Sequence, residues 1–359
     1  MAEALFSPYR LREIELANRV IVSPMCQYSA IDGTASDWHV VNLGHLALSG
    51  PGLVFFEATH VSPEARITPH CLGLYSDANE SGIARVVAFI KTWTRSRVGI
   101  QLAHAGRKGG TAPPFRVGDL PETFDLWQPL APSALPYDES WAMPHELTHG
   151  EIEKTIADFV GSAKRAARIG IEIAELHIAH GYLGHQFLSP LSNLRGDEYG
   201  GSLENRMRFP LELFTAVRDV WPTHLPLGVR LSATDFVDGG WDLASSIAFV
   251  HELRKIGCDF VDVSAGGLSP KQDIHPAPGY QVGFAKAIRI ATGMPTMAVG
   301  MITDPLHAAQ IVRDGEADFV ELARGFLRDP RWTWSAADAL GAESFVPPQY
   351  LRGRKTSRP

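Results

Sequence analysis

The chain has 359 residues, of which 45% are hydrophobic and 20% charged, and a formal net charge of −7. That length suits two ordinary domains or one large α/β barrel with insertions, and the composition is that of a globular chain with a substantial core. The acidic balance argues against nucleic acid or anionic membrane as a main partner, and no apolar run approaches the roughly 18 residues of a membrane helix.

The opening stretch, "MAEALFSPYRLREIEL", lacks the basic-then-apolar pattern of a signal peptide. Cys26, Cys71 and Cys258 are odd in number and far apart, with no disulfide, zinc or iron–sulfur spacing, so a reducing cytoplasm is the expected location. The first short apolar run is "NRVIVSP" (18–24), followed by "GLVFFEA" (52–58) and "VGIQLAHAG" (98–106). Residues 104–150 then carry seven prolines and little periodicity. A connection that long is a functional cap or an added hairpin, and we read it as an excursion over the mouth of the fold rather than a second domain. Trp127 and Trp141 within it, together with Trp38, are expected to shape the pocket.

The stretch 151–170 is amphipathic: Ile152, Ile156, Phe159, Val160 and Ala163 follow helical spacing, and Gly170 stands where a C-terminal cap belongs. "IEIAELH" (171–177) is the fourth apolar run, and "LPLGVRLSA" (225–233), "CDFVDVSAGG" (258–267), "MPTMAVG" (294–300) and "ADFVELARG" (317–325) complete eight. Between them, 203–221, 243–257 and 304–315 read as helices, with Ser202 as the N-cap of the first. Short, continuously apolar strands alternating with helices predict a parallel sheet, and eight units in this length predict a single (β/α)8 barrel over residues 1–345, with 346–359 as a C-terminal tail. An open doubly wound sheet is the runner-up, but no G-x-G-x-x-G follows the first strand.

A barrel of this kind carries its site at the C-terminal ends of its strands. Those ends supply Ser23, Pro24, Met25, Cys26 and Tyr28, then Glu57 and Ala58, then Gln101 and His104. The fourth supplies His177, His180 and Tyr182, the fifth Arg230, and the sixth Ser264. Gly300 and Met301 follow the seventh, and Ala323, Arg324 and Gly325 the last. Carboxylates are few in this set, with Glu57 and the later Asp235 the evident ones. A metal-dependent hydrolase needs three or more converging ligands, and a glycosidase two carboxylates across a groove. No strand end carries the lysine of a Schiff-base aldolase. Arginines and glycine-rich turns after the last two strands suit a phosphate, and imidazole and phenol groups suit a polarised carbonyl oxygen. Taken alone, the His-x-x-His of 177–180 is open to three readings: metal ligation, substrate holding or core filling.

"SPMCQYS" (23–29), "QLAHAGR" (101–107), "HIAHGYLGHQFLSPLSNLRGDEYGGSLENRMRF" (177–209), "VRLSATD" (229–235) and "AVGMITDP" (298–305) resemble the Old Yellow Enzyme flavoproteins, in the thermophilic-like branch similar to the bacterial YqjM and xenobiotic reductase proteins. The likeness runs from "LFSPYRLREIELANRV" to "PPQYLRG". It implies a barrel that binds FMN non-covalently, is reduced by NADPH or NADH, and reduces the C=C bond of alkenes activated by a carbonyl or nitro group. By the same resemblance His177 and His180 hold the substrate oxygen, Tyr182 gives the proton, and Tyr28 and Cys26 touch substrate. Ser23, Pro24, Met25 and Cys26 would run along the flavin, with Ala58 near the ring and Gln101 and Arg230 at the pyrimidine. Met301, Ala323 and Arg324 would hold the phosphate. The family usually has glycine at 323, and the added methyl is compatible with backbone donation unless φ is positive there. Gly196 stands where the family usually has threonine, and is expected to affect loop packing.

Arg352 matches an arginine that in this branch reaches a neighbouring subunit's site, which implies a homodimer or a dimer of dimers. The bland reading of "RGRKTSRP" is a solvated, frayed tail, expected beyond Arg352. Two other functions are weighed: a metal-dependent hydrolase on the same barrel using His177 and His180, and a flavin-less binding protein that keeps the fold. Larger relatives with an iron–sulfur cluster and a second dinucleotide domain do not fit three scattered cysteines in 359 residues.

Overall fold

Each of the eight apolar runs forms a parallel strand in a computed structural model that describes residues 4–115 and 126–353. The strands are β1 (Val20–Val22), β2 (Leu53–His60), β3 (Arg97–Ala103), β4 (Ile173–Ile178), β5 (Leu227–Ser232), β6 (Val261–Ser264), β7 (Thr296–Ala298) and β8 (Phe319–Leu322). They pair in chain order and β8 closes on β1, giving a (β/α)8 barrel. Apart from Arg97 at its edge, every strand residue is buried. Inner and outer faces are both covered, which is why the strands read as unbroken apolar runs rather than alternating ones.

A helix follows each strand: Asp37–Ala47, Asp77–Trp93, His149–Arg168, Leu203–Val220, Leu243–Lys255, Val282–Thr292, Pro305–Arg313 and Trp332–Leu340. Their starts are written in side chains. Thr148 and Glu151 form a capping box, and Ser202, Asp242 and Asp304 accept from the amides of Asn205, Ser245 and His307. Gly170, at φ 86°, ends the first helix after the excursion.

The two ends of the barrel differ. An antiparallel hairpin, Tyr9–Leu11 with Ile14–Leu16, lies across the N-terminal end. Arg12 at its tip bonds Asp259 and the carbonyls of Thr223 and Gly257, all just before strands β5 and β6. At the C-terminal end the described part of 104–150 packs on the loops after the strands. Trp127 donates to the Glu64 carbonyl, Ser133 accepts from the Leu194 amide, and Arg107 reaches the carbonyl of Leu268. Among its described residues the one ladder, Leu130–Ala131 with His145–Glu146, is parallel, and so is not the pairing of a tight hairpin. Gly196 is exposed, and a Cβ there would meet nothing within 4 Å. The expectation that this glycine affects loop packing is therefore not met, because no neighbour lies close enough to pack against.

Candidate active site

Arg230, on β5, projects into the barrel beneath the C-terminal mouth. Its Nε lies 2.8 Å from Asp262 Oδ2 on β6, its Nη2 3.4 Å from Glu321 Oε2 on β8, and its Nη1 donates to Ser23 Oγ after β1 at 3.2 Å. On the other side Gln101 Nε2 donates to Glu175 Oε1 on β4 at 2.7 Å. Burial works against the guanidinium charge, but Asp262, Glu321 and Glu175 more than offset it and hold Arg230 firmly protonated. The same burial pushes Glu175 up to about 8, and raises Asp262 well above the usual carboxylate range. Besides the strand-end residues, three carboxyl groups lie inside the barrel: Glu175, Asp262 and Glu321. Each was visible as an acid inside an apolar run, which is costly unless it meets a cation. All three lie around Arg230, with Asp262 and Glu321 in direct contact.

The C-terminal end of β4 carries His177, and the turn after it His180 and Tyr182. His177 and Arg230 are register partners across β4 and β5. His177 Nε2 and His180 Nδ1 face each other at 3.3 Å, and the His177 ring stands edge-on to Tyr182 with centroids 4.9 Å apart. His180 Nε2 is 2.7 Å from Ser264 Oγ, and its backbone amide donates to Ser232 Oγ. Burial first, then the charges around them, hold both imidazoles well below the ordinary histidine range, so both are neutral at physiological pH. Burial also raises the Tyr182 phenol well above its usual value, which keeps its proton available.

A second wall comes from β1 and β2. A β-bulge at Glu57 interrupts the β2–β3 register just before Ala58, which pairs with Gln101. Glu57 Oε2 accepts from the amide of Gln27, between Cys26 and Tyr28, and Oε1 lies 3.1 Å from His39 Nε2. Cys26, Tyr28 and Tyr182 pack together against Ile67, Cys71 and Ala105. Burial and then Glu57 push the Cys26 thiol up, so it is a thiol and not a thiolate. Pro24 and Met25 are half-buried beside it.

Between β5 and β8 the mouth opens into a cavity of about 530 Å³ lined by His180, Arg230, Ser264, Met301, Ala323 and Arg324, among others. Ala323 has φ −101°, so the positive φ at which a methyl would be penalised is not adopted there. Met301, at φ 54°, is held in the left-handed region. Arg324 and Arg328 both face this cavity, and among the described residues neither makes an ion pair. Unpaired cations and loop backbone at one end, with a buried arginine, amide and hydroxyls further in, fit a phosphate joined to a polar-edged ring system. FMN has that chemistry.

Residues 4–343 match the NADH:flavin oxidoreductase / NADH oxidase family. The chain belongs to it. Membership makes this protein an NAD(P)H-dependent oxidoreductase with FMN as its flavin. It is 43% identical over 355 residues to an NADPH dehydrogenase of Geobacillus thermodenitrificans, covering 98% of this chain and 99% of that one. To an NADPH dehydrogenase of Bacillus subtilis it is 42% identical, covering 98% and 100%. A solved structure of morphinone reductase in complex with tetrahydroNAD superposes with a TM-score of 0.78 at 30% identity, covering 96% of this chain and 93% of that one. No helix among the described residues is long and apolar enough to cross a membrane.

The barrel thus gathers residues from all eight strand ends around one mouth. Arg352 is exposed and does not line the cavity of its own chain, and 354–359 lie outside the described residues. Trp38, Trp127 and Trp141 do not line it either. Among the described residues the one group of three potential metal ligands is His149, Asp197 and Glu198, so His177 and His180 lack the third ligand a catalytic metal needs. Sequence reasoning missed Lys108, whose Nζ donates to the carbonyls of His180 and Gly267 at 3.0 and 3.1 Å. Burial brings Lys108 down to about 8. It follows directly on "QLAHAGR", and a lysine at the end of a quoted motif was the available signal.

Proposed function

We propose that this member of the family reduces the C=C bond of α,β-unsaturated carbonyl or nitro compounds at the expense of NADPH. The observation that carries the reading is the pair of neutral imidazoles, buried His177 and half-buried His180, beside a protonated Tyr182, next to the cavity above Arg230. FMN, when bound, supplies the centre that accepts hydride from the nicotinamide and returns it to the alkene. His177 and His180 hold the substrate's carbonyl or nitro oxygen, where negative charge grows as hydride adds to the β-carbon. Tyr182 then gives its proton to the α-carbon. Tyr28 and Cys26 line the substrate face. Arg230 and Gln101 bind the flavin's pyrimidine edge, Ser23, Pro24, Met25 and Ala58 lie along the ring, and Met301, Ala323 and Arg324 take the phosphate, without a covalent bond to the flavin. Arg352 completes the site of a neighbouring copy in a homodimer or a dimer of dimers, a role supported by its exposure outside its own cavity.

The visible spectrum of the purified protein tests this. The protein is expected to be yellow, to bleach with NADPH in the absence of oxygen, and to regain colour on addition of 2-cyclohexenone. Bleaching without recovery on any activated alkene would leave the oxidoreductase and remove the alkene. A colourless protein that neither releases nor takes up FMN would remove the cofactor and the alkene-reductase reading with it.

A further inference from the structure

Two residues in succession on the turn after β4 are left-handed: His180 at φ 57° and Gly181 at φ 71°. The first is not glycine, so this backbone persists only because its surroundings over-determine it. On one side the turn has no slack, since a Cβ on Gly181 would stand 2.2 Å from the carbonyl oxygen of Gly267. Lys108 ties that side down by bonding the carbonyls of both His180 and Gly267. On the other side the Gly181 amide points at His185 Nδ1, 3.0 Å away. An amide can only donate, so Nδ1 is the acceptor and the ring's proton is on Nε2. That nitrogen lies 2.8 Å from Asp235 Oδ1, and both residues are fully buried. Asp235 Oδ2 is held in turn by Ser189 Oγ at 2.6 Å and the Trp241 amide at 2.7 Å.

We propose that His185, oriented by Asp235, is a positioning residue: by taking the Gly181 amide it sets where His180 and Tyr182 stand against the substrate. The inference rests on the alkene-reductase reading of the site. The opposite wall uses the same device. His39 Nδ1 accepts the Ser36 amide at 3.0 Å, its Nε2 faces Glu57, and Glu57 takes the amide of Gln27 next to Tyr28, which is itself at φ 52°. Each substrate-facing turn that carries a strained non-glycine residue is therefore pinned at a backbone amide by a chain that contains a buried histidine–carboxylate pair. A pair serving only to fill the core would not need its imidazole nitrogen on the one amide between His180 and Tyr182.

Two substitutions separate the halves of the pair. The terminal NH2 of glutamine reaches the position of imidazole Nε2, so His185→Gln keeps the Asp235 contact and loses the acceptor for Gly181. The carboxamide oxygen of asparagine occupies the position of Nδ1, so His185→Asn keeps the Gly181 bond and loses Asp235. The probe is 4-hydroxybenzaldehyde titrated into the FMN-loaded protein. A phenolate held by the two imidazoles over an oxidised flavin gives a long-wavelength charge-transfer band. In the unaltered protein the band is expected to appear. His185→Gln should retain FMN and melt close to the unaltered protein, yet bind the phenol roughly tenfold more weakly, while His185→Asn stays within about threefold of it. Equal affinity in all three proteins, or equal weakening in both variants, overturns the positioning role. If His185→Gln does not fold, His185→Asn decides alone, and a roughly tenfold loss there overturns it. No band in the unaltered protein overturns the reading of the site, and the role of His185 with it.

Discussion

His177 and His180 face each other at 3.3 Å as neutral rings, an arrangement only a buried site allows. Two imidazolium ions at that distance would repel, and two neutral ones can turn their N–H groups toward a shared oxygen. Tyr182 beside them keeps its proton because burial opposes the phenolate. These states assign different losses to different residues. His177→Ala should lower turnover of 2-cyclohexenone by roughly a hundredfold and leave FMN bound, as removal of one donor to a developing negative charge does. Tyr182→Phe should slow alkene reduction by a similar factor, roughly a hundredfold, with reduction by NADPH untouched. Separate measurement of the two half-reactions checks both. Loss of FMN from the alanine variant, or slowed reduction by NADPH in the phenylalanine variant, would show that the roles are misassigned.

At the level of elements, what matters is that each strand ends where a side chain is wanted and the loop after it bends sharply. The β2 bulge turns Glu57 toward His39 and leaves Ala58 paired with Gln101. The last described turn, Pro348–Gly353, folds back on the helix Trp332–Leu340, with Tyr350 against Trp334 and Arg331. Arg352 leaves from that turn into solvent. If Arg352 serves a neighbouring copy, Arg352→Ala should raise KM for the enone several-fold without loss of FMN. Mixing it with Tyr182→Phe under conditions that exchange subunits should then restore activity above either variant alone. A mixed dimer pairs one intact Tyr182 site with the other chain's Arg352. Activity that never exceeds the sum of the separate variants would place Arg352 outside any shared site.

For the whole molecule, burial of ionisable groups inside one barrel sets opposing demands on pH. Burial takes His60 down to about 3 and His104 to about 4, and depresses His177 and His180 as well. Unfolded, these rings take protons as pH falls through about 6.5, while folded they do not, so the stability they give is present above that pH and lost as pH falls through it toward 4. Glu175 and Asp262 act in reverse. Their folded values are raised by burial, Glu175 to about 8, so their contribution is full at low pH and is lost as pH rises to about 8. Between about pH 5 and 8 the two sets cross, and stability should peak between about pH 6 and 7 and fall on both sides, by about 1.4 kcal/mol per pH unit for each net proton. Urea midpoints across this range check it, and a steady rise to pH 8 would show that the carboxyls are ionised in the fold.

The fold class was determined by the sequence itself, because strands covered on both faces must be apolar throughout and the helix caps are local side-chain patterns. The residues at the strand ends were also legible, since a strand's C-terminal end is a position in the chain. What joins those residues was not. Glu175, Arg230, Asp262 and Glu321 come from four strands, and only closure of the barrel brings three acids onto one arginine. His185 reads as an ordinary helix residue until Asp235, from beyond β5, meets its ring. Whether alanine suits position 323 depended on a backbone angle that packing alone sets. Chain-local patterns specify which elements form, and contacts between distant segments decide what their side chains can do.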